Sequence, residues 1–399
     1  MPDNPGNLST DLRGVGNLTI DAIKGITDIV ESLHQTIVGF AGMFGSPGQL
    51  RTRGITGMVY RNIHSVTDLV GDGIDSLLGQ LSQVIGEKDS SPAREAIIAA
   101  LNGVLGDHLV ARGNPLAIPM QFRTGGKPWD EKTFADAIRQ SNGPLVIMVH
   151  GACMNDLQWK RKGHDHGQML ARDLGLLPVY LHYNTGLHIS ENGRKFSDLL
   201  ETLVKRLPQS LELYIVGHSM GGLVSRSACH YGKASGQTWL KHLRKLIFLG
   251  TPHHGALLEK GGNWIDIILQ ISSYSAPFSR LGKIRSSGVT DLRHGNLLDD
   301  DWQGRDRFAF SGDQRVPVPL PENVQCCSVA AIIGKESGII GDDLIGDGLV
   351  TVNSALGRHH AQMNLCFPDT HQKVIRGIHH MDLLSHPKVY ETVKTWLKR

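Results

Sequence analysis

The sequence predicts an α/β fold in which a mostly parallel sheet is flanked by helices, with a helical region before it and a cap insertion within it. From about residue 115 onward, short apolar runs alternate with helical patterns, as in strands that are buried on both faces. Before residue 115 the apolar residues recur at steps of three and four, which is typical of amphipathic helices. More than 70 residues separate two of the apolar runs, which is too long for a plain connection.

The first part of the chain predicts amphipathic helices at residues 16–44 and 55–85, joined by a linker with glycine and proline. A third helix is expected after Ser91 and Pro92, because serine offers an N-cap and proline fits the first turn. Residues 1–113 therefore form a predicted N-terminal helical region. Its polar faces mix acidic and basic side chains, so packing on the main domain or in a homodimer is favoured over contact with a membrane surface.

Residues 114–399 predict one α/β domain with a cap or lid at about residues 256–322. Its apolar runs are interpreted as the strands of a parallel sheet, with helices between them. The six runs are PLAIPMQF, PLVIMVHG, LPVYLHYN, LELYIVGHS, LRKLIFLGT and VQCCSVAAIIG. The cap follows the fifth run and has a helical pattern of its own.

The composition is that of an ordinary globular protein, with 40% hydrophobic residues in 399. The formal net charge of +3 comes from 41 basic and 38 acidic side chains without a basic stripe, which argues against a nucleic-acid partner. The five cysteines form neither CxxC pairs nor an even set, so a zinc site and a disulfide framework are not expected. With no leader-like or membrane-spanning segment, the expected location is cytoplasmic.

One serine stands at the junction of a predicted strand and a predicted helix, in GHSMGG at residues 217–222. A sharp turn of this kind projects a serine hydroxyl from the scaffold, and a neighbouring base must take its proton before it can act as a nucleophile. The tight turn leaves no room for side chains two residues before and after the serine, which accounts for Gly217 and Gly221. Ser219 is therefore the candidate nucleophile.

Four further motifs accompany this turn: VHG at 149–151, GTPHHG at 250–255, GDGLVTVNSALG at 346–357 and GIHHMDLLSHPKVYETVKTWL at 377–397. Together they make residues from about 115 to 399 resemble α/β-hydrolases of the lipase and esterase kind, including the GPI-inositol-deacylase-like branch. About the first 110 residues lie outside the resemblance. It implies the α/β-hydrolase fold and ester hydrolysis by a serine, an acid and a histidine in this chain order, without a cofactor.

The catalytic histidine is expected in the loop after the last strand, where His379 and His380 are neighbours. His380 is favoured because HMDLL resembles the lipase pattern His-x-Asp-x-x, and His379 is the alternative. The acid is expected in the loop after residues 324–333. Asp347 is favoured because GDGLV resembles the lipase segment Asp-Gly-Leu-Val, with Asp342 and Asp343 as the loop alternatives.

The negative charge that develops on a substrate carbonyl oxygen requires two backbone N–H donors. One is expected at Met220, directly after the nucleophile, and the other at Ala152, in the loop after VIMVHG. His150 and Gly151 would form the turn that directs the Ala152 amide. Asp382 resembles a calcium ligand of some bacterial lipases, but no second ligand accompanies it, so it is interpreted as a helix N-terminal carboxylate and no metal is expected.

The expected activity is hydrolysis of small-molecule or lipid esters with apolar acyl groups, through an acyl-enzyme. An acyltransferase with the same triad is the catalytic alternative, since only the acceptor differs. A non-catalytic hydrolase scaffold that acts as an adaptor through its N-terminal helices is a third hypothesis, against which the intact serine, histidine and acid argue. Several apolar residues of the cap would line the acyl pocket or form the cap's own core: Trp264, Ile265, Ile267, Ile268, Leu269 and Ile271.

Overall fold

The computed structural model describes residues 91–129, 138, 144–206, 211–256, 286–304, 313–334, 346–359 and 361–398. The helices predicted at residues 16–44 and 55–85 lie outside the described residues, as do most of the predicted cap and both Asp342 and Asp343. Helices and strands are numbered along the described residues.

The described residues form a sheet of eight strands. The strands are β1 (Gln121–Thr124), β2 (Lys127–Pro128), β3 (Leu145–Val149), β4 (Leu177–His182), β5 (Leu213–His218), β6 (Leu243–Leu249), β7 (Gln325–Ile332) and β8 (Gln372–Arg376). Their spatial order is β2-β1-β4-β3-β5-β6-β7-β8. β1 pairs antiparallel with β2 and β4, and all neighbours from β4 to β8 pair in parallel. The carboxyl ends of the parallel strands therefore meet at one edge, where α/β proteins build their sites.

Helices cover both faces of this sheet. They are α1 (Pro92–Ala111), α2 (His166–Leu174), α3 (Ile189–Val204), α4 (Met220–Ala234), α5 (Ser287–His294), α6 (Val352–Ala355) and α7 (Pro387–Leu397). Apolar residues of α1, α3 and α4 share one core with one face of the central strands, and those of α2 and α7 share a second core with the opposite face. In the part of the chain that the structure describes, no helix combines the length and the apolar character needed to cross a membrane.

The arrangement confirms the predicted α/β-hydrolase fold, because a mostly parallel sheet lies between helices and a strand–turn–helix unit carries Ser219. Five of the six apolar runs contain a strand of five residues or more. In PLAIPMQF, only the last two residues are strand. Proline cannot donate to a ladder, and the Asn102 side chain instead bonds the carbonyl of Leu116 and the amide of Ile118.

Helix α1 lies in the main core of the sheet domain, although it precedes the predicted boundary at residue 113. It begins as predicted, with the Ser91 side chain accepting a hydrogen bond from the Arg94 amide and proline in the first turn. Leu101 and Leu109 are buried in the same core as β3. The helix therefore supports the sheet directly, while the boundary between the two regions stays a prediction.

Candidate active site

Ser219 lies alone between a strand and a helix. β5 ends at His218 and α4 begins at Met220, so Ser219 makes the whole turn, with φ 53° and ψ −123°. A positive φ is uncommon for a residue with a side chain, and such strained positions concentrate at functional sites. The Ser219 amide donates to the carbonyl of Leu249 at 2.9 Å, which ties the turn to the end of β6.

The two glycines of the turn lie where the structure has no room for a side chain. A Cβ on Gly217 would lie 2.7 Å from the amide nitrogen of Gly222. A Cβ on Gly221 would lie 2.3 Å from the carbonyl oxygen of Val149 and 2.6 Å from that of His150. Because carbon atoms do not approach oxygen so closely, glycine at 221 is what allows α4 to pack against the loop that follows β3.

Asp347 and His380 form a buried pair at the same edge of the sheet. His380 Nδ1 donates to Asp347 Oδ2 at 2.6 Å, and the His380 amide donates to the Asp347 carbonyl at 3.1 Å. The other carboxylate oxygen, Oδ1, accepts from the amides of Leu349 and Val350 at 3.0 and 2.8 Å. The two carboxylate oxygens therefore accept three hydrogen bonds, from the His380 ring and from two backbone amides, which fixes the orientation of the Asp347 side chain.

The pair lies over the end of β6, next to the turn that carries Ser219. The His380 and His218 rings have centroids 4.8 Å apart. Gly250, which follows β6 with φ 58°, leaves space for the pair, because a Cβ there would lie 3.1 Å from His380 Cε1 and 3.2 Å from Asp347 Oδ2. No role for Gly250 was predicted from the sequence. Its position in GTPHHG, directly after a strand, is the pattern that could have indicated one.

The two neighbouring histidines differ in their surroundings. His380 is buried, whereas the side chain of His379 is exposed and its amide donates to Asp382 Oδ2 at 3.1 Å. With Nδ1 of His380 donating to Asp347, its Nε2 is the ring nitrogen that can accept a proton. The structure thus brings His380, and not His379, together with Asp347.

The loop after β3 holds the predicted oxyanion donor Ala152 beside the serine. A Cβ on Gly151 would lie 3.1 Å from Ser219 Cβ, so Gly151 lies against the serine side chain with little room to spare. His150 Nδ1 donates to the Gly151 carbonyl at 2.9 Å, and the His150 carbonyl accepts from the Tyr183 hydroxyl at 2.8 Å. Because a peptide unit is planar and trans, fixing the Gly151 carbonyl also fixes the direction of the Ala152 N–H.

The second predicted donor, Met220, is the first residue of α4. The first N–H groups of a helix have no carbonyl one turn before them, and they form the positive end of the helix dipole. Two residues with side chains at positive φ, Ser219 at 53° and Cys153 at 58°, adjoin Met220 and Ala152. Cys153 is fixed by its amide, which donates to the Thr185 hydroxyl at 3.1 Å.

Three buried histidines surround the site. Burial lowers the pKa of His150 to about 3 and that of His166 to about 4, and it lowers the pKa of His218 well below its ordinary value. The three rings are therefore neutral near pH 7 and act as hydrogen-bond donors to backbone carbonyls rather than as charges.

Asp382 lies in the turn after His380 and has protein partners on both oxygens. Oδ1 accepts from Lys162 Nζ at 2.8 Å, and Oδ2 accepts from the His379 amide. Among the described residues, no group of three or more His, Cys, Asp or Glu side chains is arranged to hold a metal ion. The contact with an ammonium group disfavours Asp382 as a cation ligand.

Comparisons with known proteins give weak likenesses. Residues 117–291 match the model of a domain of unknown function, DUF7379. No curated protein matches the chain. The chain is similar to the mature form of Bacillus licheniformis lipase BlEst2, at 16% identity and a TM-score of 0.44, over 64% of this chain and 93% of that one.

Two further solved structures have a similar level of likeness. One is a lipase-esterase related protein from Clostridium acetobutylicum, with 12% identity and a TM-score of 0.36, over 64% of this chain and 96% of that one. The other is Aspergillus fumigatus lipase B, with 10% identity and a TM-score of 0.40, over 64% of this chain and 52% of that one. Identities and TM-scores this low do not indicate which reaction the chain catalyses. The α/β-hydrolase fold of the chain rests on its own strand order and on the turn at Ser219.

Proposed function

We propose that the protein is a serine hydrolase that cleaves carboxylic esters through an acyl-enzyme. The observation that carries the proposal is the buried hydrogen bond of 2.6 Å between His380 Nδ1 and Asp347 Oδ2, beside the strained turn of Ser219. A serine, a histidine and an acid of this kind activate a hydroxyl that is otherwise a poor nucleophile.

Each residue has a defined task in the proposed reaction. Ser219 Oγ attacks the ester carbonyl carbon while His380 Nε2 takes the hydroxyl proton, and Asp347 stabilises the imidazolium that forms. The amides of Met220 and Ala152 donate to the carbonyl oxygen as it becomes negative. His380 then gives the proton to the departing alcohol, and water releases the acid from Ser219 by the same steps in reverse order.

The proposed substrates are esters with apolar or lipid-like acyl groups. The support is the apolar sequence of the predicted cap at residues 264–271, a segment that lies outside the described residues. Placement in the GPI-inositol-deacylase-like branch, and a cytoplasmic location, are parts of the proposal that rest on the sequence alone.

The proposal is tested by replacing the nucleophile and labelling it. Ser219→Ala should lower kcat for a p-nitrophenyl ester by more than about 10³-fold without a change in fold, because no other hydroxyl lies in the turn. Ser227→Ala is the matched control, since Ser227 is a buried serine of α4 that donates to the Leu297 carbonyl at 2.7 Å and takes no part in the site. A series of p-nitrophenyl esters from acetate to laurate measures the acyl preference.

A fluorophosphonate should label the native protein at Ser219 and leave the Ser219→Ala variant unlabelled. Normal turnover in Ser219→Ala, or labelling of a different serine, would refute the proposal. If activity were highest with the acetate ester and fell steadily as the acyl chain lengthened, the proposed ester hydrolysis would stand. The proposed preference for apolar acyl groups would be refuted.

A further inference from the structure

Two histidines from outside the short helical turn that carries His380 donate hydrogen bonds to its carbonyls. Residues His380–Leu384 form a 3₁₀ helix, which is stable only in short pieces and leaves carbonyls without partners at its end. His166 Nε2 donates to the Leu383 carbonyl at 2.9 Å, and His218 Nε2 donates to the His380 carbonyl at 3.4 Å. Of the two contacts, the one from His166 has the shorter and stronger geometry.

His166 is held in one orientation by its neighbours. It is fully buried at the start of α2, and its ring stacks on Tyr390 of α7 with centroids 5.9 Å apart and planes at 17°. His164 lies beside it, with Nε2 of His164 2.7 Å from Nδ1 of His166. The Leu383 carbonyl can only accept, so Nε2 of His166 carries the proton and Nδ1 accepts from His164.

The Leu383 side chain connects this contact to the end of β6. It is fully buried, and its Cδ1 lies 2.5 Å from the position that a Cβ on Gly250 would occupy. The same position lies 3.1 Å from His380 Cε1. A turn that moved away from His166 would therefore shift Leu383 and the His380 ring together.

We propose that His166, oriented by His164, is a positioning residue for His380: by holding the Leu383 carbonyl it keeps the imidazole aligned with both Asp347 and Ser219. The inference rests on the proposed function, because alignment with Ser219 matters only if His380 is the base. Catalytic groups lose about 10²-fold in rate when displaced by about 1 Å, so a small shift of this turn has a large effect on kcat.

The test compares three variants of the full chain. His166→Leu removes the hydrogen-bond donor and places an apolar side chain in the buried position. His166→Gln offers an amide N–H at the place of Nε2. His242→Leu is the control, because His242 Nδ1 also donates to a backbone carbonyl, that of Leu211 at 2.9 Å. His242 directly precedes β6, so it lies at the amino ends of the parallel strands, away from the site.

For a short soluble ester, kcat should fall by about 10- to 100-fold in His166→Leu, with KM unchanged. His166→Gln should recover most of the loss, and His242→Leu should retain wild-type kcat. Equal losses of kcat in His166→Leu and His242→Leu, or no recovery in His166→Gln, would mean that His166 serves stability alone and would overturn the proposal.

A second measurement does not require activity. The proton between His380 Nδ1 and Asp347 should give a far-downfield NMR signal, assigned by its loss in Asp347→Asn. The signal should broaden or vanish in His166→Leu and persist in His166→Gln and His242→Leu. If the wild-type protein hydrolysed no ester, this signal would still report on the contact with His166, so failure of the proposed function and failure of the positioning role remain distinct. An unchanged signal in His166→Leu would overturn the positioning role.

Discussion

At the scale of single residues, His379 and His380 allow a comparison within one turn. His380→Ala should lower kcat/KM for a p-nitrophenyl ester by about 10³-fold or more, because it removes the proposed base from Asp347. His379→Ala should lower it by less than about tenfold, because the His379 side chain is exposed and its backbone contact with Asp382 survives the substitution. The measurement is kcat/KM of both purified variants, determined by steady-state kinetics at one pH.

Thermal melts of the two histidine variants serve as the control for folding. Both should melt cooperatively, which separates lost chemistry from lost structure. If His379→Ala proved the more damaging of the two at equal stability, the role of base would pass to His379.

The sequence was informative about the proposed catalytic residues because each stands in a short local motif. Gly-x-Ser-x-Gly at residues 217–221 and Asp-Gly-Leu-Val at 347–350 are contiguous patterns. The contact between His166 and the Leu383 carbonyl joins residues 217 positions apart and depends on the orientation of a histidine ring. No local pattern encodes such a contact, so it emerges only from the packing of α2 against the turn.

At the scale of secondary structure, α1 is the element with the clearest test. A chain that starts at Asn114 lacks α1, whereas one that starts at Ser91 keeps it with its N-cap. Each large apolar side chain removed from a core costs about 2–5 kcal/mol, and α1 contributes several to a protein whose total stability is of the order of 5–15 kcal/mol. The Asn114 chain should therefore be insoluble or melt far below the full-length protein.

The chain that starts at Ser91 should fold and turn over a short soluble ester, since it contains every residue of the proposed site. Melting temperature, turnover and binding to lipid vesicles are measured for both chains and for the full-length protein. A stable, active Asn114 chain would contradict the role of α1 in the core. Loss of vesicle binding alone in the Ser91 chain would favour a membrane-surface role for residues 1–90.

The sequence predicted the buried strands better than the edge strands. β3 is buried at all five positions, so every one of its residues is apolar and the strand is visible in the sequence as a continuous apolar run. β8, with the sequence QKVIR, has one buried residue, and β2 has two residues, both exposed. Strands that pack on little apolar surface leave no apolar run, and both were missed for that reason.

At the scale of the whole molecule, buried histidines make folding sensitive to acid. Burial lowers the pKa of His150 to about 3 and of His166 to about 4, and it places the pKa of His218 and of His253 well below 6.5. The unfolded chain binds protons at its histidines as the pH falls through about 6.5, whereas the folded protein leaves these four neutral. The free energy of unfolding is therefore greatest above pH 6.5 and falls as the pH drops towards 4.

His150 and His166 should each lower the free energy of unfolding by about 1.4 kcal/mol between pH 7.5 and pH 5.5, and His218 and His253 should lower it in the same direction. Urea unfolding at the two pH values measures the change, and the histidine C2 protons of the folded protein report which rings titrate. Equal stability at both values, or titration of the His150 or His166 ring above pH 5 in the folded state, would contradict the expectation.

The separation of 217 positions between His166 and Leu383 also sets a delay during translation. A ribosome that adds about 5–20 residues per second needs roughly 10 to 40 s to travel from one to the other. For part of that interval β6 has been made and β7, its neighbour in the sheet, has not. An unpaired strand edge is a template for aggregation. We therefore expect the soluble yield of this protein to rise when the unfinished sheet of one nascent chain is kept away from that of the next during translation.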